Sequence, residues 1–356
     1  MSELLVSNYP PLKTKHVSFF DRFYSLLGKA SFLKIGIGYI SQDSIADLEQ
    51  VIIQNNNIPR LELVIGMHHF QGFERPQLKA VRHLGAYLTD NNIGNIYIST
   101  QIPYHGKIYC FADKNNQIIS GIIGSNNLSS IVKSTNRIYE TAVDLGNQPV
   151  VNDLNIFLDE LIQKSKPIAE LSDEETCIIQ SHAPLSNLHG VQKIDQSTLS
   201  RCIQHLTNTN FRIPLKADPE RHSKSNLNVY FGKGRLNKST GITLPRPWYE
   251  VEIIVPSEIT RRPDYPNQKT NDGIITVITD DGWKFDCVVN GDYNKNFRSS
   301  DGLTILGRWI KGRLENEGLL IPGEAITNSI LDEYGKRYIE LTKADIDNVW
   351  YLDFSR

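Results

Sequence analysis

The sequence predicts two domains: an α/β sandwich over residues 1–165 and a small β-barrel with short helices over residues 226–356. A polar connector at 166–225 joins them. Three observations carry this reading. At 356 residues the chain is long for one hydrophobic core and comfortable for two. Its first part alternates strand-like apolar runs with amphipathic ones at helical spacing, the pattern of a sheet that starts parallel under a cover of helices. From about Asn226 the texture turns to short strands, with one convincing helix.

In the first part, Leu33–Ile40, Leu61–Met67 and Ile93–Ser99 read as strands, separated by helices at Ser44–Ile53 and Pro76–Thr89. Ile108–Phe111 and Ile118–Ile123 then flank the polar turn Asp113-Lys114-Asn115-Asn116, which predicts a hairpin. A further strand at Ile138–Leu145 and a helix at Val151–Lys164 close the unit. The connector has partial helical character at Ser197–Leu206. In the second part Tyr249–Val255, Ile274–Thr279, Trp283–Val289, Tyr338–Leu341 and Trp350–Phe354 read as strands and Leu303–Glu315 as the helix.

Composition excludes several classes. Hydrophobic content of 40% and charged content of 22% are those of a globular protein. No apolar run approaches the roughly 18 residues of a membrane span, and Met1-Ser2-Glu3-Leu4-Leu5 lacks a signal-like start, so a cytoplasmic location is expected. Cys110, Cys177, Cys202 and Cys287 show no paired spacing, which argues against a zinc site or a disulfide framework. A net charge of −2 gives no global attraction to nucleic acid, so any such affinity has to come from local clusters.

The chemistry concentrates at His105-Gly106-Lys107 and, after 16 intervening residues, Gly124-Ser125-Asn126-Asn127. Side chains two apart in an extended strand share a face, which pairs His105 with Lys107 and Ser125 with Asn127, and the hairpin is expected to bring both pairs into one pocket. Imidazole suits attack on phosphorus near neutral pH, because neutral and protonated forms coexist there. Lys107 offers a positive charge, and Ser125 and Asn127 offer neutral donors, for the equatorial oxygens of a phosphoryl transition state. Glu140, on the next strand, is the candidate to hold the second ring nitrogen of His105.

This pattern resembles the HxK and GSxN signature of the phospholipase D superfamily, whose small nucleases carry a glutamate near the place of Glu140. One departure stands out: the aspartate usual five positions after the lysine is here Ala112, with Asp113 one place late. The resemblance implies a phospholipase D-like fold for residues 1–165 and phosphodiester cleavage through a phosphohistidine on His105, with no metal and no cofactor. Superfamily members use two such motifs and this chain has one, so a homodimer sharing one catalytic centre is expected.

Two basic stretches stand out in the second part, Phe231–Lys238 continuing to Trp248, and Tyr293–Ser300. Arginine and asparagine can read base edges, and lysine and serine can seat on phosphates. Residue type alone leaves DNA-binding loops and solvated turns equally open. The run Ile275–Cys287, with Gly307–Leu314, Tyr334-Gly335-Lys336 and Trp350–Phe354, resembles the C-terminal part of the NgoFVII family of type II restriction endonucleases. BfiI-like enzymes join the same modules, a phospholipase D type nuclease and a B3-like barrel. The resemblance implies sequence-specific cleavage of double-stranded DNA. Lys233, Arg235, Asn237, Lys238, Arg246 and Trp248 then form one arm, and Asn294, Lys295, Asn296, Arg298 and Ser299 the other. It also implies a separate methyltransferase acting on the same site and, in some relatives, a helicase-like ATPase subunit. The rival expectations are a phospholipid hydrolase or transferase, which leaves the second half unexplained, and a DNA-binding protein whose nuclease domain is silent.

Other residues read as structural. His68 and His69 follow a strand end and are more often ordinary loop histidines than cleft residues. Gly36 and Gly38 lack the third glycine of a dinucleotide loop and fit a close-packed strand better. Trp283, Trp309 and Trp350 are expected in the core, and Asp173-Glu174-Glu175 as a solvated helix start.

Overall fold

Apolar alternation at Phe32–Ile37, Arg60–Ile65 and Gly94–Ser99 produces three neighbouring parallel strands in the computed structural model, which describes residues 2–55, 60–132, 138–179 and 183–356. Two well-capped helices make the crossovers. Gln42–Ile53 starts at Ser41, whose hydroxyl accepts from the Ser44 amide in a reciprocal capping box. Arg75–Asp90 starts with the same reciprocal arrangement between Glu74 and Gln77, and carries Pro76 in its first turn.

The chain then reverses. Lys107–Ala112 runs antiparallel to Phe32–Ile37 and forms the expected hairpin with Ile118–Gly124. The Asp113 carboxylate shapes its turn by accepting from the Asn115 and Gln117 amides at 2.8 and 3.0 Å. With Glu3–Val6, Thr141–Asp144 and Ser165–Pro167 added, the sheet has eight strands, and Lys107–Ala112 lies inside it between Phe32–Ile37 and Ile118–Gly124. One face buries Tyr109 and Phe111 against Phe19 and Phe23 of the helix Phe19–Leu27. The other buries Ile108 and Cys110 against Val151, Leu158 and Leu161 of the helix Val150–Gln163. Each large apolar side chain so buried contributes about 1.5–3 kcal/mol. Burial also pushes the Cys110 thiol up to about 12, which keeps it inert.

The described chain divides into two compact units. The first holds Met1–Ser181 with Gly234–Pro245 and Ile321–Gly323, and the second holds His182–Lys233, Arg246–Leu320 and Glu324–Arg356. The short ribbon Arg235–Leu236 with Thr243–Leu244, which the sequence assigns by position to the second domain, therefore packs with the first unit.

In the second unit the sheet runs Leu206–Pro214, Tyr338–Ala344, Val349–Asp353, Ile274–Thr279, Trp283–Asn290, Asn296–Ser299, Ile253–Ile254, with Gln192–Lys193 as a side pairing on Trp283–Asn290. Its outermost strands, Leu206–Pro214 and Ile253–Ile254, do not pair with each other. The barrel expected from the sequence is thus a curled half-barrel: a nine-residue strand at one edge and a two-residue strand at the other leave no matching ladder to close it. Leu206–Pro214 comes from the stretch read as connector, and of the run Tyr249–Val255 only Ile253–Ile254 joins the sheet, with Glu252 in an isolated bridge to Asn226. The helix Ile305–Asn316 forms as expected, and Trp309 and Trp350 are buried.

A buried polar pillar centres on this helix. Lys311 and Glu315 have no solvent exposure, and neither does Trp248. Glu315 accepts from Trp248 Nε1 and from the Tyr249 hydroxyl, each at 2.7 Å. Lys311 donates to the Trp248 carbonyl at 2.5 Å and lies 3.9 Å from its ring centroid. Trp248, expected beside the DNA arm, is therefore a core residue: its indole is spent on Glu315 and Lys311. Trp248→Ala is expected to remove about 3–5 kcal/mol of stability by leaving a cavity beside a stranded carboxylate, read as a lowered unfolding midpoint in denaturant titration.

Candidate functional site

Continuing the observed register of the hairpin places Gly106 opposite Ser125, because Ile108 pairs with Ile123 and Tyr109 with Ile122. On the other side Ile37 pairs with Lys107, so Tyr39 falls opposite His105, and their rings meet edge to face with centroids 5.3 Å apart. Gly124 pairs with Ala142, which brings Thr141 beside Ser125 and Glu140 next to it. His105, Ser125 and Glu140 therefore gather at one edge of the sheet, beyond the carboxyl ends of the three parallel strands. Open α/β sheets bind ligands at that edge.

Exposure separates the members. His105 is open to solvent, whereas Lys107 is only 7% exposed. The Lys107 ammonium lies 3.2 Å from His105 Nε2 and donates to the His105 carbonyl at 2.9 Å. Burial pulls the Lys107 pKa below the ordinary lysine value, and the negative charge of Glu140 partly restores it. Glu140 thus acts on the lysine, and its carboxylate hydrogen-bonds no described side chain, His105 included. The Ser125 hydroxyl accepts from the Thr141 amide at 3.0 Å and lies 3.2 Å from the Thr141 carbonyl, so it closes the ladder between its strand and the next. The amide oxygens of Asn126 and Asn127 are buried beside it without a hydrogen-bond partner among the described residues.

Glycines allow this crowding. A Cβ on Gly38 would stand 3.0 Å from the His105 ring and 3.1 Å from its Cα. A Cβ on Gly106 would strike the Tyr104 hydroxyl, and one on Gly36 would come within 2.6 Å of Leu158. The close-packed reading of Gly36 and Gly38 gains a specific cause. Tyr39, Gly38 and Tyr104 were not singled out for the site by the sequence: an aromatic or a glycine in an apolar run carries no chemical signature until the register shows what faces it.

Other candidates sit elsewhere. Ala112 and Asp113 lie at the far end of the strand from His105, where Asp113 serves the turn. His68 is buried, with Nε2 accepting from the Ile40 amide at 3.1 Å and Nδ1 3.1 Å from the Gly72 carbonyl; burial lowers its pKa. Both ring nitrogens are used, which makes it a neutral structural histidine that also meets Tyr39 edge on. Among the described residues no group of three or more His, Cys, Asp or Glu side chains is arranged to hold a metal ion.

Of the basic stretches, Lys233, Arg235 and Lys238 are exposed. Asn237 commits its amide oxygen to the Ser239 amide and hydroxyl at 3.1 and 2.7 Å. Arg246 pairs with Glu250 at 2.5 Å. Asn294 accepts from the Gln268 amide at 3.0 Å, and Lys295 stays half exposed 3.7 Å from Asp292. Asn296 donates to Glu252 at 3.2 Å, and Arg298 lies 3.7 Å from the same carboxylate. Ser299 is 1% exposed and donates to the Gly302 carbonyl, so it is a strand residue of the core and not a DNA-facing loop residue as expected: Asn296–Ser299 turned out to be a paired strand.

Two family models match the chain. One, the NgoFVII restriction endonuclease N-terminal PLD domain, matches residues 18–186, and the other, the NgoFVII C-terminal B3-like DNA-binding domain, matches residues 201–345. No curated protein matches. Among solved structures, a phospholipase D family member, Nuc from Salmonella typhimurium, is 14% identical over 47% of this chain and 98% of its own, with a TM-score of 0.33. NucT from Helicobacter pylori is 9% identical over 47% of this chain and 99% of its own, with a TM-score of 0.29. TrmBL2, an archaeal chromatin protein, is 14% identical over 46% of this chain and 53% of its own, also with a TM-score of 0.29.

By heteronuclear NMR, the Lys107 amine is expected to titrate below the ordinary lysine range, and Glu140→Gln to move it further down, since the carboxylate favours the charged form.

Proposed function

The chain belongs to the NgoFVII restriction endonuclease family, joining a PLD nuclease domain to a B3-like DNA-binding domain, and on that footing we propose that it cleaves double-stranded DNA at specific sequences with His105 as the nucleophile. The observation that carries the proposal is the exposed His105 ring with the buried Lys107 ammonium 3.2 Å from its Nε2. A scissile phosphate seated there would take over the lysine's donors and release the Nε2 lone pair for attack.

In the proposed reaction Nε2 of His105 forms a bond to phosphorus as the bond to the leaving deoxyribose oxygen breaks. That oxygen needs a proton on the side of phosphorus opposite the nucleophile. The chain carries one His-x-Lys element that is followed by Gly-Ser-x-Asn, so the proton comes from His105 of a second copy, and a homodimer forms one shared centre. Water then attacks phosphorus, the P–N bond breaks, and the imidazole is restored. Lys107 and the Asn127 amide supply donors for the phosphoryl oxygens, Ser125 fixes the strand end that presents Asn127, and Glu140 keeps Lys107 charged. The scheme uses no divalent metal.

For DNA binding, Lys233, Arg235, Lys238 and Lys295 are exposed enough for phosphates, while Arg246, Asn294, Asn296 and Arg298 would exchange intramolecular partners for DNA. Asn237 shapes the turn of the first arm. The lipid reading finds no membrane-crossing helix among the described residues, and it leaves the DNA-binding domain without a role.

Plasmid cleavage in EDTA tests the mechanism. Wild-type protein is expected to cut, His105→Ala to lose at least about a thousandfold in rate, and Lys107→Ala about a hundredfold or more. Acid quenching should trap a phosphohistidine on the wild type; cleavage that EDTA abolishes, or a His105→Ala protein that cuts normally, defeats the scheme. The rate should also fall on the alkaline side at a pH below the ordinary lysine value, because Lys107 loses its proton early.

A further inference from the structure

Residues 7–17 form a strap tied to the edge of the first sheet that carries His105. Glu3–Val6 pairs antiparallel with Thr141–Asp144, and after the last pair, Val6 with Thr141, Ser7 meets Glu140. The Ser7 amide donates to the Glu140 carbonyl at 3.0 Å, and its hydroxyl accepts from the Glu140 amide at 2.9 Å. Residues 8–16 then loop out and return. The Val17 carbonyl accepts from the Val6 amide at 3.3 Å, and the Val17 side chain packs against the main apolar cluster ahead of the helix Phe19–Leu27. Within the loop, the Asn8 carboxamide oxygen accepts from the Thr14 amide at 3.2 Å, and the Thr14 hydroxyl accepts from the His16 amide at 2.8 Å. Tyr139 pins the middle: its hydroxyl donates to the Tyr9 carbonyl at 2.6 Å and accepts from the Leu12 amide at 2.9 Å, and its ring centroid lies 4.5 Å from that of Tyr9.

This clasp leaves Lys13 and Lys15 exposed on either side of the half-buried Thr14, with His16 exposed next to them. Neither lysine forms an ion pair among the described residues, and the carboxylates nearest in sequence are engaged elsewhere: Glu3 pairs with Arg22, and Asp21 accepts from the Ser18 hydroxyl at 2.7 Å. Strand order fixes the place of the strap. Glu3–Val6, Thr141–Asp144, Ile118–Gly124 and Lys107–Ala112 are successive antiparallel neighbours, so the end of the first and the start of the last share one edge. The strap therefore leaves the sheet on the same edge as His105, three strand spacings or about 14 Å away. DNA advances about 3.4 Å per nucleotide along each strand, so a phosphate about four nucleotides from the cut comes within its reach. The match to the NgoFVII N-terminal domain begins at residue 18, which leaves these lysines outside it.

We infer that this strap anchors the substrate duplex beside the cut: Lys13 and Lys15 hold backbone phosphates flanking the one His105 attacks, and Tyr139 is the positioning residue that keeps them there. The inference rests on the DNA-cutting reading above and adds to it a contact in the leading segment of the chain, separate from the basic stretches of the second half. A lysine that pairs with no carboxylate exchanges only counterions for a phosphate, so the contact is indifferent to sequence and sensitive to salt. Because the strap is already clasped at both ends and at Tyr139, seating a phosphate there orders little new chain and loses little conformational entropy.

The test uses the full chain and a fluorescein-labelled duplex containing a mapped cleavage site. For the Lys13→Ala/Lys15→Ala protein, the slope of log affinity against log salt is expected to flatten by about 2, the loss of two phosphate contacts, while Lys13→Arg/Lys15→Arg keeps the wild-type slope. Single methylphosphonates, each removing one phosphate charge, are then placed in turn up to about five nucleotides from the cut on both DNA strands. At one or two of these flanking positions the wild type is expected to bind about tenfold more weakly, a penalty that the alanine double variant lacks. Tyr139→Phe, which keeps the ring and loses both hydroxyl bonds, is expected to raise KM about fivefold with kcat held. An unchanged salt slope in the alanine double variant overturns the inference, as do methylphosphonate penalties identical in that variant and the wild type, or a Tyr139→Phe loss that falls on kcat alone. Wild-type protein that neither binds nor cuts the duplex overturns the underlying DNA-cutting reading, and the anchor with it.

Discussion

The candidate site depends on the register of one interior strand. Lys107–Ala112 is hydrogen-bonded on both sides, to Phe32–Ile37 and to Ile118–Gly124, and that pairing decides what His105 meets: Tyr39 across one gap, and Ser125 opposite Gly106 across the other. A slip of one residue would turn Lys107 to the opposite face and put Tyr109 and Phe111 on the side of Val151 and Leu158. The two apolar layers forbid such a slip. One face buries Tyr109 and Phe111 against Phe19 and Phe23, and the other holds Ile108 and Cys110 against Val151, Leu158 and Leu161. Core packing and site geometry are therefore one constraint, and each interior apolar residue of this strand holds His105 and Lys107 in place.

Electrostatics follow from where the strand ends. Lys107 is inside the sheet and loses solvent, which weakens its hold on its proton, while His105 emerges two residues earlier into water. Glu140, just before the strand Thr141–Asp144, offsets part of that cost for the lysine. The consequence is a cation that reaches the imidazole yet is not free to wander, as the proposed contact with a phosphate requires. Space for this arrangement comes from Gly38 and Gly106, where a single added carbon would meet His105 or Tyr104.

The second unit solves a different problem. Its sheet does not close, so its core leans on the helix Ile305–Asn316 and on the buried Lys311 and Glu315 that tie Trp248 and Tyr249 to it. Such groups are tolerated without solvent because each is hydrogen-bonded; removing one partner would strand the other. That bonding also explains why Trp248 is unavailable for DNA. The ribbon at Arg235–Leu244 shows how sequence position misleads: Ile242 finds its apolar partners in the first unit, and Asn55 pairs with Thr243 across 188 positions of chain.

Much of the protein was legible in the residues. The alternation of strands and helices before position 165, the polar turn at Asp113 and the helix near Leu303–Glu315 are local signals, set by spacing and turn chemistry, and all three formed. The His-x-Lys and Gly-Ser-x-Asn elements pointed to phosphodiester chemistry through residue type, and the match to a restriction endonuclease N-terminal PLD domain fits a nuclease. Short-range pattern fails where partners are remote. The strand Leu206–Pro214 was hidden in a polar stretch, Ser299 and Trp248 went into the core, and the Glu140 carboxylate makes no hydrogen bond to His105 among the described residues. By itself, then, the sequence determined which groups are candidates for the chemistry and which elements surround them, because periodicity and side-chain type are properties of neighbouring residues. Only the tertiary structure decided which groups are buried, which way the carboxylate acts and which unit carries the basic ribbon, because burial and hydrogen-bond partnership are settled by residues far apart in the chain.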